Sequence, residues 1–137
     1  MVAIVAALMW LAPGMALEIP YRVQISILIA LCALALGVAA AVEFRRIKTT
    51  INPMTPEKSS ALATRGVFGW SRNPIYVADA ILLLAWAIWL ANPVALLGIP
   101  LFVLYINRFQ IAPEERALKA RFGAGFEEYC RRVRRWL

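Results

Sequence analysis

Histidine is absent from the 137-residue chain, and cysteine occurs only twice, at Cys32 and Cys130. Without histidine the protein has no His-based general base, no catalytic triad of the serine-hydrolase type and few ways to bind zinc. The two cysteines do not have the spacing of metal ligands, and Cys32 lies inside an apolar run, so a disulfide between them is not expected. We therefore predict no metal site and interpret both cysteines as small packing residues.

Charge is also scarce, since charged residues make up 17% of the chain and hydrophobic residues 62%. Soluble domains contain about a quarter charged residues, so this composition predicts a membrane protein. The formal net charge of +7 does not indicate a nucleic-acid partner, because the basic residues other than Arg22 fall into two clusters, 45–72 and 108–135, beside apolar segments. That placement favours anionic head groups, and we expect membrane lipids as partners and no nucleic acid.

Four apolar segments cover residues 2–17, 23–42, 75–91 and 94–106. A membrane span needs about 20 residues, which the second segment has and the other three do not. Asn92-Pro93 is a turn signal that predicts a helical hairpin from the third and fourth segments. No basic residue precedes Arg22, so we expect the first segment to be a retained helix and not a cleaved signal peptide. The prediction is a single all-α domain over residues 1–137, polytopic, with about four transmembrane helices.

The charges of the loops indicate how the chain is oriented in the membrane. Residues 43–74 carry two acidic residues against six basic ones, which are Arg45, Arg46, Lys48, Lys58, Arg65 and Arg72. The loop at 91–93 carries no charge. The positive-inside pattern then predicts a multi-pass integral membrane protein whose termini, central loop and C-terminal segment are all cytoplasmic.

The C-terminal segment, residues 113–137, differs from the rest of the chain. An apolar stripe recurs along it at helical spacing, formed by Leu118, Phe122, Phe126, Tyr129, Val133 and Trp136. Gly123 and Gly125 are expected to divide it into two shorter amphipathic helices. Two arrangements of this segment fit the periodicity. One is a helix that rests on the membrane surface, and the other is a lid packed on the hairpin.

Polar residues meet at the mouth of the predicted hairpin. Arg72-Asn73-Pro74 and Tyr76 precede or begin the third helix, and Glu114-Glu115 follow the fourth. Because a hairpin returns to the same membrane face, these residues are expected to converge on a pocket suited to a zwitterionic ligand. Each also has a structural interpretation, with Arg72 as a head-group anchor, Asn73 as a helix cap and Pro74 as the first helical residue. Asp79 lies one turn inside an apolar helix, where it either forms an ion pair or takes part in the functional site.

Three stretches together resemble a known superfamily: TTINP, TRGVFGWSRNPIY and PEERALKARFGAGFEEYCRRVRRWL. The pattern is R-(H/N)-P-x-Y, a helical hairpin, then E-E-x-x-L-x-x-x-F-G with an aromatic-rich ending in R-W. It is similar to the isoprenylcysteine carboxyl methyltransferase and phospholipid methyltransferase superfamily of integral membrane enzymes. The resemblance covers residues 44–137.

The resemblance implies that S-adenosyl-L-methionine binds on the cytoplasmic side and that a hydrophobic or lipid-like methyl acceptor arrives from the bilayer. One wall of the implied cofactor pocket is formed by Arg72, Asn73, Pro74 and Tyr76, and the other by Glu114 and Glu115. Thr50 and Pro53 match a segment that leads into the site. The residues that we predict to be catalytic are Arg72, Asp79 and Glu115.

The chain also departs from the superfamily pattern. Asn73 stands where histidine is common, Ala78 where many members have glycine, and Asp79 where the residue is usually apolar. The acceptor atom stays open between oxygen, nitrogen and sulfur, and an amine acceptor would require Asp79 or a glutamate as base. Two alternatives remain: a homodimer that completes the pocket, and a non-catalytic transport or assembly protein that retains the scaffold.

Orientation can be measured by cysteine labelling in intact cells after Cys32 and Cys130 are replaced. We expect a cysteine at position 92 to react with an impermeant reagent from outside, because the basic loops hold residues 43–74 and 108–137 in the cytoplasm. Labelling at position 92 only after permeabilisation would contradict this orientation.

Overall fold

A computed structural model describes residues 1–11, 17–46 and 62–137. These ranges contain helices and short connections without a strand, which agrees with the predicted all-α class. The α-helices are α1 (Val2–Leu11), α2 (Arg22–Arg46), α3 (Pro74–Leu90), α4 (Gly98–Ile106), α5 (Ala112–Phe122) and α6 (Ala124–Arg132). Two 3-10 turns, Gly66–Gly69 and Pro93–Leu97, precede α3 and α4, and a π-helical turn, Asn107–Ile111, joins α4 to α5. Thr50 and Pro53 lie outside the described residues.

Two helical stretches of the described chain are long and apolar enough to cross a membrane: Arg22–Arg46, with 25 residues, and Pro93–Phe122, with 30. The 10 residues of α1 and the 17 of α3 would reach about 15 Å and 26 Å, against a hydrocarbon core of about 30 Å. The structure thus confirms a long apolar helix for the second predicted segment. It also shows that the helix of the fourth segment continues beyond residue 106, to Phe122. Spanning by α1 and α3 stays a prediction.

Helix α2 packs on α3 through small side chains. Its buried residues are Ser26, Ala33 and Ala40, which are seven residues apart and therefore lie on one face. Small residues allow two helix backbones to approach closely, as is common between membrane helices. Large apolar side chains of α2 are exposed instead, and Leu28 and Leu34 are both more than 60% exposed. This distribution is that expected of a helix whose outer face meets lipid.

The hairpin turn follows the predicted Asn92-Pro93 signal. Helix α3 ends at Leu90, and Ala91 takes the left-handed conformation with φ of 52°. The Asn92 side-chain oxygen then accepts a hydrogen bond from the Val94 amide at 2.9 Å, and Pro93 begins the next 3-10 turn. The chain reverses here, so that the start of α5 returns to the start of α3.

The second arm of the hairpin continues past the predicted end of the apolar segment at Ile106. The π-helical turn carries the chain from α4 into α5, where Pro113 lies in the first turn. Proline has no amide hydrogen, and its ring would collide with the carbonyl four residues earlier, which belongs to Phe109. The wider π turn contains Phe109 and accommodates the proline without ending the helix. This continuity was not expected from the sequence.

Helix α1 contacts α4 at Gly98, where there is no room for a side chain. A Cβ atom at this position would lie 2.7 Å from both Cγ and Sδ of Met9. Met9 itself is buried, in a core that includes Leu83 and Phe102. Close contact between α1 and α4 therefore depends on the absence of a side chain at Gly98.

Gly98→Ala is expected to lower the free energy of unfolding by about 1–3 kcal/mol, the usual effect of an overpacked core. Thermal unfolding in detergent measures it, and Met9→Ala in the same background should recover part of the loss. Gly125→Ala is the matched control, because no atom lies within 4 Å of its Cβ position in α6. Equal melting temperatures for Gly98→Ala and the parent would contradict the close approach.

Candidate functional site

A polar cavity of about 100 Å³ lies at the open end of the hairpin. The segment before α3 contributes Arg72 and Asn73, and the first turn of α5 contributes Glu114 and Glu115. Aromatic walls come from the 3-10 turn and from α6, with Phe68, Phe126 and Tyr129. The two sequence motifs, about forty residues apart, therefore meet as the hairpin predicted.

Arg72 is held on two sides. One terminal nitrogen, Nη2, lies 3.3 Å from Oε1 of Glu115, and the other, Nη1, donates to Sγ of Cys130. The side chain is 15% exposed. Its Nε is buried and has no hydrogen-bond partner among the described residues. A buried donor without an acceptor costs free energy, so this nitrogen is a candidate for contact with a ligand.

Glu115 joins two arginines. Its Oε1 accepts from Arg135 Nε at 3.1 Å and its Oε2 from Arg135 Nη2 at 2.5 Å, in addition to the pair with Arg72. The paired geometry of Arg135 is the bidentate arrangement that gives an ion pair directional strength. Both carboxylate oxygens of Glu115 are thus engaged within the protein.

Glu114 faces a different set of groups. The Tyr76 hydroxyl donates to Oε1 of Glu114 at 2.7 Å, and the polar side chain of Gln110 from the π turn lies near both residues. No arginine or lysine of the described residues lies within ion-pair distance of Glu114, in contrast to Glu115. The negative charge of Glu114 is therefore open to a cationic partner.

The last residues of the chain bind back onto the start of α3. The Arg72 amide donates to the Arg134 carbonyl at 2.9 Å. The Asn73 side-chain amide donates to the Arg135 carbonyl at 2.8 Å, and so does the Ser71 hydroxyl at 3.3 Å. Asn73 makes no side-chain cap to α3, which corrects the interpretation of this residue as a helix cap. Its amide fixes the C-terminal segment instead.

Further contacts join the C-terminal segment to both arms of the hairpin. Trp136 Nε1 donates to Oδ1 of Asn107 at 3.1 Å, and the Tyr129 hydroxyl donates to the Phe68 carbonyl at 2.7 Å. Burial raises the pKa of the Tyr129 phenol, so it remains protonated and a donor at neutral pH. The helix break falls at Gly123, with φ of 50°, which confirms the predicted division of this segment. The packing is that of a lid on the hairpin.

The predicted site residues divide into three groups. Arg72, Asn73, Glu114 and Glu115 line the cavity, and Tyr76 joins them through Glu114. Pro74 is buried as the first residue of α3 and does not line it. Asp79 lies elsewhere, in a groove between α2 and α3, so the structure does not bring it to the cavity with Arg72 and Glu115.

Several residues of the site are not marked as site residues by the sequence. Cys130 is expected from its context to be a small packing residue, yet its sulfur accepts a hydrogen bond from Arg72. Arg135 and Trp136 belong to the quoted R-W ending, so the motif did contain a signal for them. Nothing in the local sequence marks Gln110, because its direction depends on the π turn.

A sequence profile described as phospholipid methyltransferase matches residues 21–125, more than half of the chain. The chain belongs to the phospholipid methyltransferase family. A Haemophilus influenzae protein described as uncharacterized is 48% identical over 63 residues, which are 46% of this chain and the whole of that relative. No solved structure matches the chain. Membership of the phospholipid methyltransferase family and the two long apolar helices together indicate a membrane protein.

Deletion of residues 134–137 is expected to detach the C-terminal segment, because it removes the carbonyl acceptors of Arg72 and Asn73 and the second partner of Glu115. Limited trypsin digestion should then cleave after Lys119 and Arg121, just before the break at Gly123, several-fold faster, while the protein stays in the membrane fraction. Deletion of Leu137 alone, which is 72% exposed, is the control. Equal cleavage rates for both deletions would instead favour a surface anchor.

Proposed function

We propose that the protein is an integral membrane methyltransferase that uses S-adenosyl-L-methionine and methylates a hydrophobic or lipid-like acceptor at the cytoplasmic membrane face. One observation carries the proposal. Arg72 and Glu114 come from the two arms of the hairpin and meet in one cavity, within a chain of the phospholipid methyltransferase family.

The charged groups of the cavity suit the amino-acid end of that cofactor. Glu114 has a carboxylate without a described ion-pair partner, which complements an ammonium group. Arg72 has a buried Nε without an acceptor, which complements a carboxylate. Pockets for whole small molecules usually measure about 300–1,000 Å³, so a cavity of about 100 Å³ suits this end of the molecule and not all of it.

The surrounding residues would position these two groups. Tyr76 and Gln110 orient Glu114, while Glu115 and Cys130 hold the guanidinium of Arg72. The C-terminal segment covers the cavity with Phe126 and Tyr129, which limits the access of water. Bound S-adenosyl-L-methionine supplies a methyl group on a sulfonium. Transfer of this kind depends mainly on positioning, so a site without histidine is sufficient.

A second function is favoured by the ion pairs of the same site. Arg72, Glu115 and Arg135 form a closed network within the protein, as structural ion pairs do. A non-catalytic membrane protein of transport or assembly would need only this network to keep the scaffold. The open charge of Glu114 and the unpaired Nε of Arg72 favour the enzyme, because the network explains neither of them.

Glu114→Gln is expected to weaken binding of S-adenosylhomocysteine ten- to a hundredfold, since a charge-assisted hydrogen bond contributes about 1.5–3 kcal/mol. Calorimetric titration of purified protein in detergent measures the affinity. Glu115→Gln should weaken binding and also lower the melting temperature, because it leaves two arginines without their shared partner. Glu127→Gln is the matched control, an exposed glutamate of the same segment that pairs with Lys119.

The outcomes separate the two functions. If the parent protein binds S-adenosylhomocysteine and Glu114→Gln binds it equally well, the assignment of Glu114 is wrong. If the parent protein does not bind it at all, the non-catalytic function is favoured.

A further inference from the structure

The helical arm that runs from α4 into α5 has an outer surface that changes from apolar to basic along its length. Leu101, Leu104 and Tyr105 are 64%, 66% and 42% exposed. Arg108 follows Tyr105 by three residues and is exposed as well. At this spacing the four residues lie on one face of the helix, so the exposed surface is a continuous stripe.

Arg116 continues the stripe into α5. It is exposed and lies eight residues after Arg108. Two turns of an α-helix contain about seven residues, and the π turn Asn107–Ile111 adds about one more. The two arginines are therefore aligned on the outer face of the arm, about 12 Å apart along its axis.

The positive charges of both arginines are uncompensated within the described part of the chain. Neither arginine has a hydrogen bond or ion pair with a residue that the structure describes. The glutamates of the C-terminal half that form ion pairs do so with other cations, Glu115 with Arg135 and Glu127 with Lys119. The outer face thus has two positive charges directed to the surroundings.

The surroundings of this face are lipid, because its apolar part is exposed on a membrane protein. A guanidinium beside hydrocarbon is costly, and its long side chain lowers the cost by extending to a head group. Its planar group of donors binds a phosphate through paired hydrogen bonds. Two such groups without an acidic neighbour favour a head group whose net charge is negative.

An aromatic pair lies between the apolar and the basic part of the face. The ring centroids of Tyr105 and Phe109 are 4.7 Å apart, and Phe109 is 60% exposed. Aromatic side chains are enriched where the hydrocarbon of a membrane meets its head groups. The order of apolar, aromatic and basic residues therefore matches the chain, the glycerol region and the phosphate of a phospholipid.

The polar cavity lies on the other side of the same arm. Glu114 and Glu115 face the segment that begins α3, whereas Arg108 and Arg116 are exposed at the outer surface. A lipid bound to the two arginines is separated from the cavity by the thickness of the helix. It is not in the position of a methyl acceptor.

We propose that Arg108 and Arg116 form a binding site for the phosphate of an anionic phospholipid of the surrounding bilayer, with Tyr105 and Phe109 against the upper part of its acyl chains. This lipid is a bound ligand and not a substrate, so the site goes beyond the proposed function and does not depend on it. Because Arg108 belongs to the π turn, the bound lipid stabilises the turn that sets the rotation of α5.

Native mass spectrometry of the full chain tests this site. The protein is released from mixed micelles that contain equal amounts of phosphatidylglycerol and phosphatidylcholine with the same acyl chains, and the retained lipids are counted by mass. Both lipids have a phosphate, but only phosphatidylglycerol has a net negative charge. We expect the parent protein to retain phosphatidylglycerol at least about tenfold more than phosphatidylcholine.

Variants of the two arginines are expected to remove this preference. Arg108→Gln and Arg116→Gln should each lower retention of phosphatidylglycerol about fivefold, the effect of one basic residue at an anionic surface. Arg108→Lys should keep part of the preference, because the charge remains and the paired hydrogen bonds are lost. Arg131→Gln is the matched control, since it removes the same charge from an exposed arginine that pairs with Glu128 on α6.

Thermal unfolding in detergent gives a second measurement. Added phosphatidylglycerol should raise the melting temperature of the parent protein and of Arg131→Gln, because a ligand that binds the folded state stabilises it. The double variant Arg108→Gln with Arg116→Gln should show no such rise. Its melting temperature without added lipid shows whether the variant is folded, and Arg108→Lys provides the comparison if it is not.

Four results would overturn the proposal. Equal retention of the two lipids by the parent protein, or an unchanged preference in the double variant, would show that the arginines do not bind a head group. An equal loss in Arg131→Gln would show a general attraction between a basic protein and an anionic membrane. Displacement of the lipid by inorganic phosphate would assign the site to a free anion. Dissociation of a dimer by Arg108→Gln, with lipid retention unchanged, would assign the face to a second copy of the chain.

Discussion

The carboxylate of Glu115, held between Arg72 and Arg135, is the interaction on which the candidate site depends. It connects the segment before α3, the first turn of α5 and the end of the chain, which are far apart in sequence. Its side chain is 19% exposed, so removing one member of the network would leave a largely buried charge without its partner. The backbone bonds from Arg72 and Asn73 to the last residues add to the same connection. A single glutamate thus fixes where both walls of the cavity stand.

The neighbouring Glu114 is free for another purpose because of helix geometry. Consecutive residues of an α-helix point about 100° apart, so two adjacent glutamates leave the helix in different directions. Glu115 faces the arginines, and Glu114 faces Tyr76 and Gln110. The π turn before Pro113 sets the rotation of α5 and therefore decides which glutamate faces which group. The glutamate that holds the structure, Glu115, is in this way next in sequence to the one that is open to a ligand, Glu114.

The parts of the fold that the sequence predicted are those set by local chemistry. The long apolar run of α2, the Asn92-Pro93 turn and the break at Gly123 each follow from nearby residues. The convergence of Arg72 with Glu115 was also predictable, because a hairpin returns the chain to the same membrane face. The π turn was not predictable, and neither were the sulfur contact of Cys130 and the role of Asn73, which depend on partners distant in sequence. Periodicity carries no information about such partners.

Asp79 shows how one helix can serve two environments. Tyr76, Leu83 and Trp86 of α3 pack towards the central core, whereas Asp79 lies at the edge of that face and opens into the groove against α2. The polar cavity and the apolar groove therefore approach each other along less than two turns of α3, with Tyr76 between them. A water-soluble cofactor and a membrane-bound acceptor have to meet at such a boundary in the proposed function.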